Sequence, residues 1–338
     1  MILSKLTNAF GPSGCEDEVR EIIKHEIINY CDELYEDSIG NLICHKKGKL
    51  INNKSIMLTA HMDEVGFIIS FITKEGYLKF QTVGGIDPNV LISKKVVIGE
   101  KRICGVIGTK PIHQNKDGIN KLKISDLYID IGANSREDAL KYVDLGDYAC
   151  FDSDYVEFGE GFVKAKALDD RVGCMALINV AKRNPKADIY YVFAVQEEVG
   201  HRGAIIASKR IDPVFAIVLE GTTCSDVPGT EEFGFSTHIG CGAALSIRDS
   251  GAYSDIQLTQ EIMNVAKENN IKCQYKQTTM GGNDASAVQL SKNGVKVAAI
   301  SVPCRYIHSQ SNVAKISDIK SMEDILYTFI ESKVKTYD

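Results

Sequence analysis

Four continuous apolar runs stand out along an otherwise mixed chain: Ile56 to Ala60, Ile189 to Val195, Phe215 to Leu219 and Val295 to Val302. Runs of this kind predict strands buried on both faces, as in a parallel sheet covered by helices. Each leads into polar residues able to do chemistry: HMDEVG after the first, QEEVG after the second, EG after the third and PCRYIHS after the fourth. In open α/β sheets ligands gather outside the carboxyl ends of the strands. The pattern therefore predicts that His61, Glu197, Glu198, Glu220 and His308 meet at a metal site, and that the chemistry there is hydrolytic.

The segments between the runs supply the rest of the architecture. GPSGCEDEVREIIKHEIINYC starts with turn residues and then spaces Val19, Ile22, Ile23 and Ile27 as one face of an amphipathic helix. From Ala165 onward DDRVGCMALINVAKRN, ADIYYVFAVQEEVG, HRGAIIASKR and FAIVLEG alternate helical with strand-like patterns, which implies right-handed βαβ crossovers. After Gly66 the texture differs. FIISFITKEGYLKF, KKVVIGE, RICGVIGTK and DLYIDIG are short β-rich runs divided by turn residues, up to about Gly159 to Gly161. One helix interrupts them in SREDALKYV, with Ser135 as its N-cap and Asp138 three residues on. The expected fold is α/β, a mostly parallel sheet flanked by helices, built from residues 1–66 and 161–338, with a small β-barrel or sandwich inserted over residues 67–160.

Composition narrows the function classes. A chain of 338 residues, 44% hydrophobic and 25% charged, is an ordinary globular protein long enough for two domains. A net charge of −6 gives no electrostatic footprint for nucleic acid or an anionic membrane surface. No apolar stretch approaches the roughly 20 residues that span a bilayer, and MILSKLTNAF lacks the pattern of a signal peptide, so a cytoplasmic protein is expected. The ten cysteines are scattered without a CxxC pair, which favours reduced thiols over a disulfide framework.

Taken singly, the polar motifs read blandly. His61 fits a hydrogen-bonded residue at a strand end, with Asp63 placed to hold its second ring nitrogen. Asp169 and Asp170 in ALDDR fit helix capping, although a carboxylate there could also bridge two cations. QEEVG is more demanding, because two adjacent carboxylates at the end of so apolar a run repel each other and call for a cation nearby. One can ligate a metal while its neighbour handles a proton from water. Two imidazoles and several carboxylates form the donor mix of zinc, cobalt or manganese rather than of a thiolate site. His113 and His238, in turn-rich segments without companion ligands, and His25 and His45, in a charged helix and a lysine-rich turn, read as surface or structural residues; His201, just after QEEVG, reads as a loop residue near the site rather than a ligand, and TTMGGNDASAV reads as a turn lining the cleft.

GPSG with its acidic helix, HMDEVG, the VGG within the β-rich stretch, ALDDR, QEEVG, LEGT and PCRYIHS occur in the order shown by the tetrahedral (TET) aminopeptidases, and the resemblance covers nearly the whole chain. It implies a zinc-exopeptidase-like fold and two divalent ions bridged by Asp169, with His61 and Glu220 on one and Glu198 and His308 on the other. It further implies Glu197 as general base, Asp63 as the group that orients His61, and peptides with a free N-terminus as substrates. The β-rich insert resembles the family's dimerisation domain, from which dimers assemble into a tetrahedral dodecamer. The chain departs from the common pattern at Glu220, where many relatives carry Asp, and at Asn283, where Thr is frequent. Two competing enzymatic readings are a dinuclear amidohydrolase of N-acylated amino acids and an endoglucanase. The absence of Trp, the best platform for stacking a sugar, and the idle histidines count against the second.

Overall fold

A computed structural model describes residues 1–111 and 122–336, so His113 lies outside the described residues. The chain opens with helices α1 (Ile2–Asn8) and α2 (Asp17–Ile27), followed by strands β1 (Glu33–Glu36), β2 (Leu42–Lys46) and β3 (Ile56–His61). Six strands come next: β4 (Gly66–Ile72), β5 (Leu78–Val83), β6 (Lys95–Ile98), β7 (Ile103–Gly108), β8 (Tyr128–Asp130) and β9 (Tyr148–Phe151), with the one-turn helix α3 (Arg136–Ala139) before β9. The remainder runs β10 (Val156–Phe158), β11 (Phe162–Ala165), α4 (Leu168–Lys182), β12 (Ile189–Ala194), α5 (Arg202–Ile211), β13 (Phe215–Thr223), β14 (Ala243–Ser246), α6 (Ile256–Glu268), β15 (Cys273–Tyr275), α7 (Ala285–Gln289), β16 (Lys296–Cys304), β17 (Asn312–Lys315) and α8 (Ile316–Thr336).

The four apolar runs become β3, β12, β13 and β16, and they sit side by side. The large sheet has eight strands in the order β1-β2-β12-β3-β13-β16-β14-β15, and the central pairs β12–β3, β3–β13 and β13–β16 are parallel. Their continuous apolar character follows from burial on both sides. Ile56, Leu58 and Ala60 of β3 pack with α1, α2, α4, α6 and α8, whereas Met57 faces the opposite cluster with α5 and α7. Three layers result, helix on sheet on helix, as the βαβ alternation predicts.

The strands β4-β5-β8-β7-β6-β9 close into a six-stranded barrel, which settles the choice between barrel and sandwich. Its core is apolar, with Phe67 packed edge-on against Phe80 and Phe151. Ser135 does cap α3, its hydroxyl accepting from the Asp138 amide at 3.2 Å. The barrel ends sooner than Gly159: β10 pairs with β11, and β11 with β17, so the stretch after Phe151 already belongs with the chain's C-terminal part. The cysteine expectation needs a correction as well. Eight cysteines are free, but Cys31 and Cys44 form a disulfide, because the turn into the β1–β2 hairpin brings their Cα atoms to 5.7 Å.

Candidate active site

The strand ends deliver their polar residues to one edge of the sheet. His61 is the last residue of β3, Glu197 and Glu198 stand just past β12, Glu220 lies within β13, and His308 follows β16. Asp169 comes from the first turn of α4, where Ala167 takes a left-handed conformation (φ 52°) and Asp169 and Asp170 leave helical geometry. Capping falls to Asp170, whose carboxylate accepts from the amides of Gly173 at 2.9 Å and His61 at 3.2 Å. Asp169 is turned into the cluster instead. Its Oδ1 lies 3.5 Å from His61 Nε2 and its Oδ2 lies 3.7 Å from His308 Nε2. A Cβ added at Gly221 would sit 2.9 Å from that of Asp169, so the residue after Glu220 must be glycine for the two segments to approach.

The remaining carboxylates close around the same two rings. Glu220 Oε2 is 3.5 Å and Glu197 Oε2 is 4.0 Å from His61 Nε2, and Glu198 Oε1 is 3.2 Å from His308 Nε2. Backbone carbonyls fix the rings from behind: His61 Nδ1 is 3.1 Å from Asp63 O, and His308 Nδ1 is 2.9 Å from Gly85 O. A carbonyl only accepts, so each Nδ1 donates and each Nε2 is the atom offered to the cluster. Gly85 belongs to the VGG motif at the end of β5, so the barrel supplies one of these anchors. Asp63 does more than face His61. Fully buried, it accepts from the amides of Glu197 at 3.0 Å and Glu198 at 3.1 Å and from the Ser13 hydroxyl at 2.6 Å, tying GPSG, HMDEVG and QEEVG together.

The electrostatics are those of a site that demands positive charge. Burial opposes an imidazolium at His61, yet the neighbouring Asp169, Asp63 and Glu220 outweigh it and hold the pKa well above the usual range. His308 follows the same balance and is raised to about 11, by Asp169 and Glu198 against burial. Burial pushes Glu197, Glu198 and Glu220 upward, the like charges around them adding to it. Asp169 goes the other way, its burial overcome by His308 and His61. Glu220 Oε1 is buried with no hydrogen-bond partner. Donor atoms of His61, Asp170 and Glu220 lie within 4.8 Å of one another, as do those of His61, Asp169 and Glu198. An orphaned carboxylate oxygen beside imidazole nitrogens is the arrangement a divalent cation satisfies.

Above the cluster opens a cleft of about 500 Å³, floored by Asp169, Glu197, Glu198, Glu220 and His308. The turn of TTMGGNDASAV forms part of its wall through Gly281, Gly282 and Asn283, as expected, and Lys276 and Thr222 form another part. Fold and site together define an α/β protein with a buried His and carboxylate cluster, able to hold metal, at the floor of an open cleft. The chain belongs to the M42 glutamyl aminopeptidase family, whose profile matches residues 40–325. It is 39% identical to a putative aminopeptidase of Acetivibrio thermocellus over 96% of both chains. The TET aminopeptidase of Thaumarchaeota archaeon SCGC AB-539-E09 superposes with a TM-score of 0.93 at 34% identity, covering 100% of this chain and 98% of that one. The Pyrococcus horikoshii TET1 peptidase, described as assembling into a tetrahedron or a large octahedral shell, has a TM-score of 0.85 at 33% identity, covering 97% and 98%. The protein is thus an aminopeptidase, a hydrolase of peptide bonds, from a metal-dependent family.

Several residues at the site carry no signal in local sequence. His201, in the loop just before α5, contacts Glu197, its Nε2 3.1 Å from Oε1. Asp284 is buried with both carboxylate oxygens unpartnered, and burial first, with the nearby acid Asp63, raises it to about 6 against the pull of His61 and His201. Below the site Glu64 receives Lys166 and Arg171, both buried, and these cations also donate to the carbonyls of Leu6, Ala9 and Gly11. His45 and His238 are structural, as expected: His45 stacks on Tyr190 and bonds Asp188, and His238 packs against Phe235.

Proposed function

We propose that the chain is a dinuclear metalloaminopeptidase with Asp169 bridging two divalent ions, His61 and Glu220 completing one set of ligands and Glu198 and His308 the other. The observation that carries this reading is the division of Asp169, one oxygen facing each imidazole Nε2. The mixed nitrogen and oxygen donors suit zinc, cobalt or manganese. The chemistry such ions supply when bound is Lewis acidity, which lowers the pKa of water and polarises a carbonyl.

The protein's own residues do the rest. Glu197 is the general base: its Oε2, on the cluster side, takes a proton from the attacking water and returns one to the leaving amine. Asp63 fixes the backbone that carries Glu197 and Glu198 and orients His61. The cleft walls hold the N-terminal residue of a peptide whose free amine lies over the cluster. The barrel formed by β4 to β9 serves as the dimerisation domain, and the residues around it form the catalytic domain. The assembly is a tetrahedral dodecamer built from dimers, in the cytoplasm. No helix among the described residues is long and apolar enough to cross a membrane.

Glu197→Gln tests the mechanism. Elemental analysis is expected to find two ions per chain in wild type and variant alike, with turnover of a free-N-terminal peptide lowered about a hundred- to ten-thousandfold. Chelation is expected to abolish turnover, and N-blocked peptides are expected to be inert. A fully active Glu197→Gln enzyme refutes the base, and a single ion per chain refutes the bridge.

A further inference from the structure

Glu197 stands among like charges, since Asp284, Glu198 and Asp63 all bear on its carboxylate. The carboxylate is also buried, and His61 is the opposing charge beside it, so its aim depends on the groups that contact it. Among the described residues two basic side chains pair with it: His201 Nε2 at 3.1 Å from Oε1 and His61 Nε2 at 4.0 Å from Oε2.

The ring of His201 is itself held on both sides. Its amide donates to the Glu197 carbonyl at 2.9 Å, and its backbone takes a left-handed conformation (φ 57°), which folds the side chain one turn back onto Glu197. On the far side Nδ1 lies 3.0 Å from Ser286 Oγ, and that hydroxyl has the Asn283 carbonyl at 3.0 Å. The carbonyl can only accept, so the hydroxyl proton goes to it, and Ser286 Oγ accepts from Nδ1–H. Nε2 is left facing Glu197, and holding Oε1 needs a proton there too, so the ring acts as an imidazolium that donates from both nitrogens. The clamp spans the cleft wall, from the start of α5 to α7.

We propose that His201 is a positioning residue for the reaction: it pins Oε1 of Glu197 so that Oε2 stays aimed at the His61 and Asp169 cluster, with Ser286 setting the ring. The proposal rests on Glu197 being the general base. It makes His201 a fixed partner of the base, with no contact to the substrate required.

The test is steady-state kinetics of His201→Leu and His201→Gln on a free-N-terminal dipeptide, with metal content, melting temperature and particle size of each variant measured alongside. His201→Leu is expected to lower kcat about ten- to a hundredfold, the cost of a misaimed group, with KM within about twofold and metal content unchanged. His201→Gln, whose amide N–H reaches Oε1, is expected to keep kcat within about threefold of wild type, a rescue that a purely structural role does not produce. In a Glu197→Gln background His201→Leu is expected to cost nothing further, because the two act as one unit. If the leucine variant melts early, His201→Asn, too short to reach Oε1, takes its place. Full kcat in His201→Leu, a raised KM at unchanged kcat, or an undiminished loss in the Glu197→Gln background overturns the proposal. Full activity of Glu197→Gln alone is a different failure, that of the base itself.

Discussion

The barrel and the helix-flanked sheet put charge in opposite places. Barrel strands alternate, as in β7, where Cys104 and Val106 face outward and Gly105 and Ile107 inward, and the buried cluster inside is wholly apolar. Its ion pairs, such as Lys95 with Asp152 at 3.2 Å, sit on the outside. The sheet strands β3, β13 and β16 are buried nearly end to end, and the charges at their tips have no solvent to retreat to. Glu64, Lys166, Arg171, Asp63 and Asp170 are all buried there, each held by a specific partner. A buried charge is tolerated only with its partners in place. The lesson is that the α/β part sacrifices replaceability to aim a few groups, and the barrel keeps it.

Substitutions can break that contrast. The largest effect is expected at Arg171→Leu, which strips Glu64 of one cation and the Leu6 and Gly11 carbonyls of their donor; urea unfolding should show a loss of about 3 to 5 kcal/mol. Phe67→Ala in the barrel core should cost a similar amount, about 3 to 5 kcal/mol. At temperatures where both variants are folded, only Arg171→Leu should also lower metal content, because Asp169 and Asp170 share its helix turn.

Next comes Asp63→Asn, which replaces one acceptor oxygen by a donor facing a backbone amide. Metal affinity or turnover should fall about ten- to a hundredfold, read by titration of the metal and by kcat/KM.

A smaller effect is expected from pH. Burial, then the Asp63 charge, raises the Glu16 carboxyl from 4.5 to about 7. A carboxyl with a raised folded pKa binds its proton more tightly in the folded chain, so stability falls as pH rises from about 4.5 through 7. Glu16→Gln should flatten that slope, by of order 2 kcal/mol across the window, in unfolding curves taken at each end. The smallest effect belongs to the barrel exterior: Lys95→Gln, which breaks the exposed pair with Asp152, should leave the urea unfolding midpoint unchanged.

The same contrast explains what could be read before the fold was known. Ile56 to Ala60 and its three companions were legible because strands covered on both faces leave an unbroken apolar trace, and the acids and histidines following them had to gather at one edge. The barrel was legible from its alternation and turns. His201 was not, since its meaning depends on Ser286, 85 residues away. Nor was the Glu64, Lys166 and Arg171 group, because an ion pair inside a core looks in sequence like any surface charge. The pairing of β11 with β17 and the Cys31–Cys44 bond are contacts of the same long-range kind, invisible to any local pattern.

One contact crosses between the two regions at the chemistry itself. The Gly85 carbonyl rides on the barrel, and the imidazole it grips rides on the sheet. The aim of the His308 ring is therefore set from across the boundary between barrel and sheet, so the seating of one region on the other is part of the site's geometry.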